Sequence, residues 1–290
     1  MRRSIRGCGM AEAGRRLLRN WRVVLGGALV LAVLLAALLA PVLAPYDPLD
    51  QDLSAQLAPP DWHFGADAHA LGTDSLGRDV LSRLIWGSRI AVTVAVVAGV
   101  LTALLGTALG LLAGFFGGRA DALISRLVDI WSSFPPVLLA IILVALLGTG
   151  LRSVIVAIVV IDWTRFCRVV RAEVLVQKAQ DYVASARTIG MSPGAMLWRE
   201  IVPNVLPLLV VLLSLEMGIA VIVETILSFV GLSVASGMPT WGGLIQEGRL
   251  YIHQAWSLMV LPMAAVIIVV LGFNALGDGL RVALDPVMRR

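Results

Sequence analysis

A chain of 290 residues that is 59% hydrophobic and 14% charged, with a mean hydropathy of +0.90, holds more apolar surface than a soluble interior of that size can hide; lipid must solvate part of it. The net charge of +4 and pI of about 9.7 would suit a nucleic-acid partner, yet the arginines cluster between apolar runs, as topology signals do, so no nucleic acid is expected. Cys8 and Cys167 give neither a metal-ligand spacing nor a disulfide framework, and His63 and His69 read as solvated loop residues. The single lysine, Lys178, follows no glycine-rich P-loop, so nucleotide hydrolysis by this chain is not expected.

Arg2, Arg3, Arg6, Arg15, Arg16, Arg19 and Arg22 precede a first charge-free run, which predicts a span over Val23–Ala44. A signal peptide cleaved near Ala44 is the rival, but the run exceeds the ~7–15 residues of a signal core, which favours an uncleaved anchor. From Tyr46 to Trp86 the chain is acidic and proline-rich, an external loop ending in Arg78–Ile85, whose apolar positions predict an amphipathic helix at the membrane interface. Asp79 and Arg83 have the spacing of an i,i+4 ion pair on that helix.

Further spans are predicted over Ser88–Phe116, Ile124–Leu147, Ser153–Val170, Val205–Phe229 and Trp256–Leu276, about six in all. In the second, Ala98, Thr102, Gly106, Gly110 and Gly114 recur every fourth residue, a small-residue stripe suited to close helix packing. The fourth carries Asp162 and Arg165, i,i+3 neighbours able to neutralise each other. The fifth carries Glu216 and Glu224; a charge there must face protein or water, and Glu216 is expected to face a water-filled pathway. Arg119, Arg126, Arg165, Arg168, Arg171, Lys178, Arg187, Arg199, Arg281, Arg289 and Arg290 join the N-terminal group on one side, against Arg78, Arg83, Arg89, Arg152 and Arg249; this bias predicts both termini in the cytoplasm. The chain divides into an anchor, loop and interfacial helix (1–87), a permease core (88–281) and a tail (282–290).

The polar connector after the fourth span is long. Asp181-Tyr182-Val183-Ala184-Ser185-Ala186-Arg187 predicts a short helix with a shallow face, on which Ala184 and Ala186 leave room for a partner. Gly190 permits a sharp turn, and Ser192-Pro193 reads as an N-cap and first residue of a second helix.

Ala184-x-Ala186-x3-Gly190, followed by Ile201-x-Pro203, resembles the EAA loop of ABC importer permeases, with Ala184 where many members have glutamate and Val202 where leucine is usual. Leu71-Gly72-Thr73-Asp74, Gly77-Arg78-Asp79, Gly117-Gly118-x-x-Asp121, Asp129, Phe134-Pro135, Glu224 with Leu227–Leu232, Pro239-Thr240-Trp241-Gly242, Asn274-x-x-Gly277-Asp278 and Leu284-Asp285-Pro286 are similar to the shorter permease of the dipeptide/oligopeptide/nickel importers. That resemblance implies an all-α type I importer permease fold in a bacterial inner membrane, with no cofactor. Its partners would be a homologous permease, two cytoplasmic ABC ATPases and a periplasmic or lipid-anchored substrate-binding protein. Asp181, Ala184, Ser185, Ala186, Gly190, Ile201 and Pro203 would form the ATPase-coupling loop, Gly106, Gly110 and Gly114 would pack helices, and Glu224 would pack or gate. The cargo implied is di- or oligopeptides, with nickel or another small solute as alternative. A secondary transporter coupling through Asp162, Glu216 or Glu224 is the rival from another class; a membrane-embedded enzyme would need a catalytic cluster that the sequence does not present.

Overall fold

The computed structural model describes residues 20–61, 69–234 and 237–284. The arginines before residue 20, Cys8, His63, Asp285, Pro286, Arg289 and Arg290 lie outside the described residues. Among the described residues regular structure is helical, apart from one bridge between Thr73 and Asp79.

Helix α1 (Trp21–Leu38) starts at Asn20, whose side-chain oxygen accepts the Arg22 N–H at 3.1 Å. It stops because Pro41 cannot donate to the helix ladder, and a single turn, α2 (Ala40–Leu43), follows with that proline in its first turn. Helix α3 (Val80–Phe116) is 37 residues long, ~55 Å at 1.5 Å per residue, against ~30 Å of hydrocarbon. Its Val80 end is held by residues 45–61 and 69–79, through Tyr46 N–H donating to Ser82 Oγ at 3.0 Å and Asp74 pairing with Arg83.

The separate amphipathic helix expected over Arg78–Ile85 is corrected: from Val80 on, those residues are the first turns of α3, with Val80 fully buried and Arg83 5% exposed. The expected Asp79–Arg83 pair is corrected too. Asp79 is the N-cap, accepting Ser82 N–H at 2.7 Å and meeting His69 Nδ1 at 3.0 Å, while Arg83 bonds Asp74 and Glu247. A carboxylate at an N-cap satisfies orphan helix donors, so it is drawn away from the residue one turn on.

The third expected span is also corrected. Helix α4 (Gly118–Ser132) and helix α5 (Pro136–Leu147) meet at 89° rather than forming one rod over Ile124–Leu147. Pro135 and Pro136 remove consecutive N–H donors, and each disfavours helical geometry in the residue before it. Helix α6 (Leu151–Lys178) contains the whole of the fourth expected span. The connector holds α7 (Asp181–Thr188), α8 (Pro193–Met196) and a π turn (Leu197–Ile201), which runs into α9 (Val202–Phe229). Helices α10 (Trp241–Leu250) and α11 (Ser257–Leu284) complete the chain.

Four helical stretches are long and apolar enough to cross a membrane: α1, α3, the run from α8 through α9, and α11; the bent α4–α5 pair makes a fifth if counted as one. Helix α6 carries Arg152, Asp162, Arg165, Arg168 and Arg171 and falls outside that measure by composition, although it packs along α3. Exposed Leu31, Leu104, Leu146, Ile267 and Leu271 give the bundle the apolar outside that lipid requires.

Small residues set the closest contacts. A Cβ on Gly106 would lie 2.4 Å from Phe166 Cβ, and one on Gly110 2.8 Å from the Cys167 carbonyl oxygen, so α3 and α6 touch backbone to backbone. Gly26 does the same for α1 against α11, where a Cβ would come within 2.5 Å of Leu276 N. Lys178 Nζ donates to the carbonyls of Gly114 and Phe115 at 3.1 and 2.7 Å, satisfying the C-terminus of α3 and placing the 179–201 connector at that end of the bundle. Asn20 donates to the Gly279 carbonyl at 3.4 Å, so the start of α1 and the end of α11 meet. Residues 45–61 and 69–79 cap the opposite end with α10, joined to it by Ser75–Glu247, while Trp241 Nε1 ties α10 to α3 by donating to the Leu84 carbonyl at 2.9 Å.

Candidate functional site: a protruding connector and two buried ion clusters

The connector is built to be rigid. The amide of Gly190 donates to the Arg187 carbonyl and that of Met191 to the Ala186 carbonyl, both at 3.1 Å, with Gly190 at φ +77°. These are the two bonds of a Schellman stop, which needs a left-handed residue where a side chain is strained. Ser192 Oγ accepts the Ala195 N–H at 3.4 Å and Pro193 opens α8, as the sequence predicts. Val183, Ala186, Met196, Leu197 and Ile201 form one apolar cluster with Leu111, Val170 and Val174 of the bundle. Tyr182 donates to Gln177 Oε1 at 2.6 Å and accepts from Asn204 Nδ2 at 3.3 Å; burial pushes its phenol up, so it stays a neutral donor.

This divides the expected coupling residues. Asp181, Ala184, Ser185, Gly190 and Pro203 are exposed, whereas Ala186 is 5% exposed and Ile201 fully buried. Ala186 was expected to keep the contacting face shallow; it faces the bundle, and its small size lets α7 sit down on the cluster. The exposed face instead carries two large apolar residues that sequence reasoning passed over, Ile189 at 78% and Trp198 at 66% exposure. Their signal was present: apolar side chains in a polar connector, with no span to belong to.

Within the bundle, Arg165 joins α6 to α9. Its Nη1 lies 3.3 Å from Glu216 Oε2 and its Nη2 3.8 Å from Asp162 Oδ1, so the expected Asp162–Arg165 pair is present but Glu216 is the nearer partner. Glu216 is 1% exposed and paired with Arg165. Glu224 is equally buried and accepts from Ser233 Oγ at 2.9 Å, tying α9 to the segment after it.

At the opposite end, Asp74 organises the turn before α3. Its carboxylate accepts the amides of Leu76 and Arg78 at 2.8 and 2.9 Å and Arg78 Nε at 2.6 Å, and pairs with Arg83 Nη1. Arg83 Nη1 also reaches Glu247 Oε2 on α10 at 3.1 Å. Gly77, at φ +75°, passes so close to Asp52 that a Cβ would stand 1.7 Å from its carbonyl oxygen. Thr240 caps α10 through Gly243 N–H at 3.1 Å, and Gly242 fits against the Thr225 carbonyl, where a Cβ would lie at 2.2 Å. The motifs around 71–79 and 239–242 are thus two halves of one cap.

The chain is thus a bundle of apolar helices with a polar connector at one end and an ion-paired cap at the other. Two solved inward-facing crystal forms of the MetNI methionine ABC transporter share this fold, with TM-scores of 0.58 and 0.60 at 20% identity, covering 70% and 71% of this chain and 97% and 98% of those. Residues 106–290 match the binding-protein-dependent transport system inner membrane components, and the chain belongs to that family. Residues 10–60 match the N-terminal transmembrane domain of oligopeptide transport permease C. The chain is similar to the glutathione transport system permease protein GsiD of Pectobacterium atrosepticum, 39% identical over 96% of this chain and 91% of that one. It is also similar to the di/tripeptide transport system permease protein DppC of Pseudomonas aeruginosa (40%, covering 91% and 88%) and the oligopeptide transport system permease protein OppC of Bacillus subtilis (34%, covering 96% and 90%). It is therefore a multi-pass inner-membrane permease of the ABC importer class.

Proposed function

We propose that this permease carries di- or oligopeptides, pairs with a homologous permease, and takes its energy from two ABC ATPases seated on the 181–203 connector. Peptide-transport relatives at 34–40% identity over most of the chain support the cargo class. The observation that carries the coupling is the connector itself: a Schellman-locked pair of short helices, anchored by Val183, Ala186 and Ile201, that holds Ile189 and Trp198 out in the open. Exposed apolar anchors on a rigid platform are what a partner's groove binds. ATP binding by the partners would then bias a bundle with two packings, the connector passing the motion to α6 and α9, which flank it directly. A binding protein would deliver cargo at the 45–79 end. The 20–284 topology would have six crossings, with α6 as the fourth and the connector in the cytoplasm.

Proteoliposomes holding this chain with its co-encoded permease, ATPases and binding protein test the reading. They should accumulate a radiolabelled dipeptide only when ATP is supplied on the connector side. ATP-driven accumulation of nickel with no accumulation of any di-, tri- or tetrapeptide would overturn the cargo class.

A further inference from the structure

Helix α4 leaves α5 at 89°, and the depth of that bend follows from α6. Thr149, just before α6, lines a cavity at the capped end together with Arg78 and Glu247. From Leu151 the helix advances ~1.5 Å per residue, so Arg168 and Arg171 stand ~26 and ~30 Å along it, one hydrocarbon thickness away. Those two arginines hold α4: Arg168 Nη2 donates to Ser132 Oγ at 3.0 Å, and Arg171 Nη2 to Asp121 Oδ2 at 2.7 Å. Helix α5 contains only apolar residues from Pro136 to Leu147, so it runs through the hydrocarbon, and α4 lies across the boundary on the connector side.

The faces of α4 suit that boundary. At ~100° per residue, Leu123, Leu127 and Ile130 fall within ~60° of one another, and they are 64%, 43% and 50% exposed. Ile124 and Val128, on the next face round, are the residues buried against Trp163 and Cys167 of α6. The exposed stripe is therefore not the side that packs on the bundle. Arg119 and Arg126 border it on the other flank, ~20° apart, and both are exposed. Neither makes an ion pair or a hydrogen bond among the described residues. Of the two acids on the helix, Asp121 is held by Arg171, and Asp129 lies ~60–80° further round. We infer that α4 is an in-plane membrane helix whose exposed apolar stripe enters the acyl layer and whose Arg119 and Arg126 bind the phosphates of anionic phospholipid. Apolar side chains flanked by arginines are how a helix seats at a lipid surface, and each arginine there favours an anionic headgroup about fivefold. The homologous permease, as an alternative cover, would have to supply acids for both arginines inside a protein interface. This seat goes beyond the peptide reading and does not depend on it.

The test uses the assembled permease–ATPase complex with its native cysteines replaced and a bimane fluorophore on Leu127→Cys. Phosphatidylcholine nanodiscs are formed with graded fractions of phosphatidylglycerol, or of phosphatidylcholine, carrying a nitroxide quencher near the top of the acyl chain. Both lipids should quench, and phosphatidylglycerol should do so at about fivefold lower fraction or less. Arg119→Gln combined with Arg126→Gln should bring the two lipids to within about twofold of each other. High salt should weaken the preference with both arginines in place, since it screens exposed charge. Both side chains are exposed, so the double variant should melt with its parent, and the salt titration decides the matter even without it. Equal quenching by both lipids in the parent, or a preference that survives the double substitution or salt, would overturn the lipid seat. A label that neither lipid quenches would overturn it in favour of the second permease as the cover.

Discussion

Gly106 and Gly27 show how differently two glycines of one bundle are constrained. A methyl at Gly106 would strike Phe166 and the Trp163 carbonyl, the latter at 2.5 Å, and backbone cannot step aside cheaply; at Gly27 nothing lies within 4 Å. Gly106→Ala should lower stability by ~1–3 kcal/mol, while Gly27→Ala should be neutral or gain up to ~1 kcal/mol through its better helix propensity. Thermal unfolding of the detergent-purified protein separates the two, and equal midpoints would contradict the packing described. Arg83 is the other critical residue: removing it leaves Asp74 and Glu247 to share Arg78 alone in a buried cap, a loss of ~3 kcal/mol for Arg83→Ala. The small-residue period of α3 could be read directly, because spacing alone defines a face. Arg83 could not, since its i,i+4 neighbour Asp79 is the local candidate and its partner Glu247 lies 164 residues away in sequence.

Among the elements, the connector shows which alanine does what. Ala184 is exposed on α7, Ala186 is buried beneath it, and a leucine at each should fail in different ways. Ala184→Leu should leave the permease as stable as wild type and weaken ATPase association. Ala186→Leu overpacks the cluster around Val183 and Ile201 and should itself cost ~1–3 kcal/mol. Permease melting temperature together with ATPase co-purification distinguishes them; loss of stability at position 184 with none at 186 would reverse the assignment. The turn chemistry of this element was legible, as Gly190, Ser192 and Pro193 each dictate local geometry. Which side of α7 faces the bundle was not, because small residues occupy both faces. The α4–α5 bend lay between these cases: Pro135 and Pro136 announced a break, but the charge-free run past Ile130 favoured a single span, and hydropathy carries no angle.

For the whole molecule, the meeting of Asn20 with Gly279, and of Lys178 with the end of α3, puts the described ends of the chain and the connector at one end of the bundle. In a variant without native cysteines, a cysteine at Gln51 or Met238 should react with an impermeant thiol reagent from outside intact cells, and one at Ser185 only after the membrane is opened. Labelling of position 185 from outside would invert the topology. Composition predicts about six spans; four helical stretches, or five with the bent pair, are long and apolar enough, and α6, predicted as the fourth, carries charges paired with Glu216 and Asp121 on other helices. The central claim is that the 181–203 connector couples this permease to an ATPase, and Gly190→Leu tests it most directly. No neighbour stands within 4 Å of a Cβ there, so the substitution acts through the φ of +77° and the open face rather than through the membrane core. Co-purification of the ATPase with this variant, read beside peptide-stimulated ATP hydrolysis, should fall at least about tenfold while membrane insertion is retained; wild-type association and coupling would contradict the account.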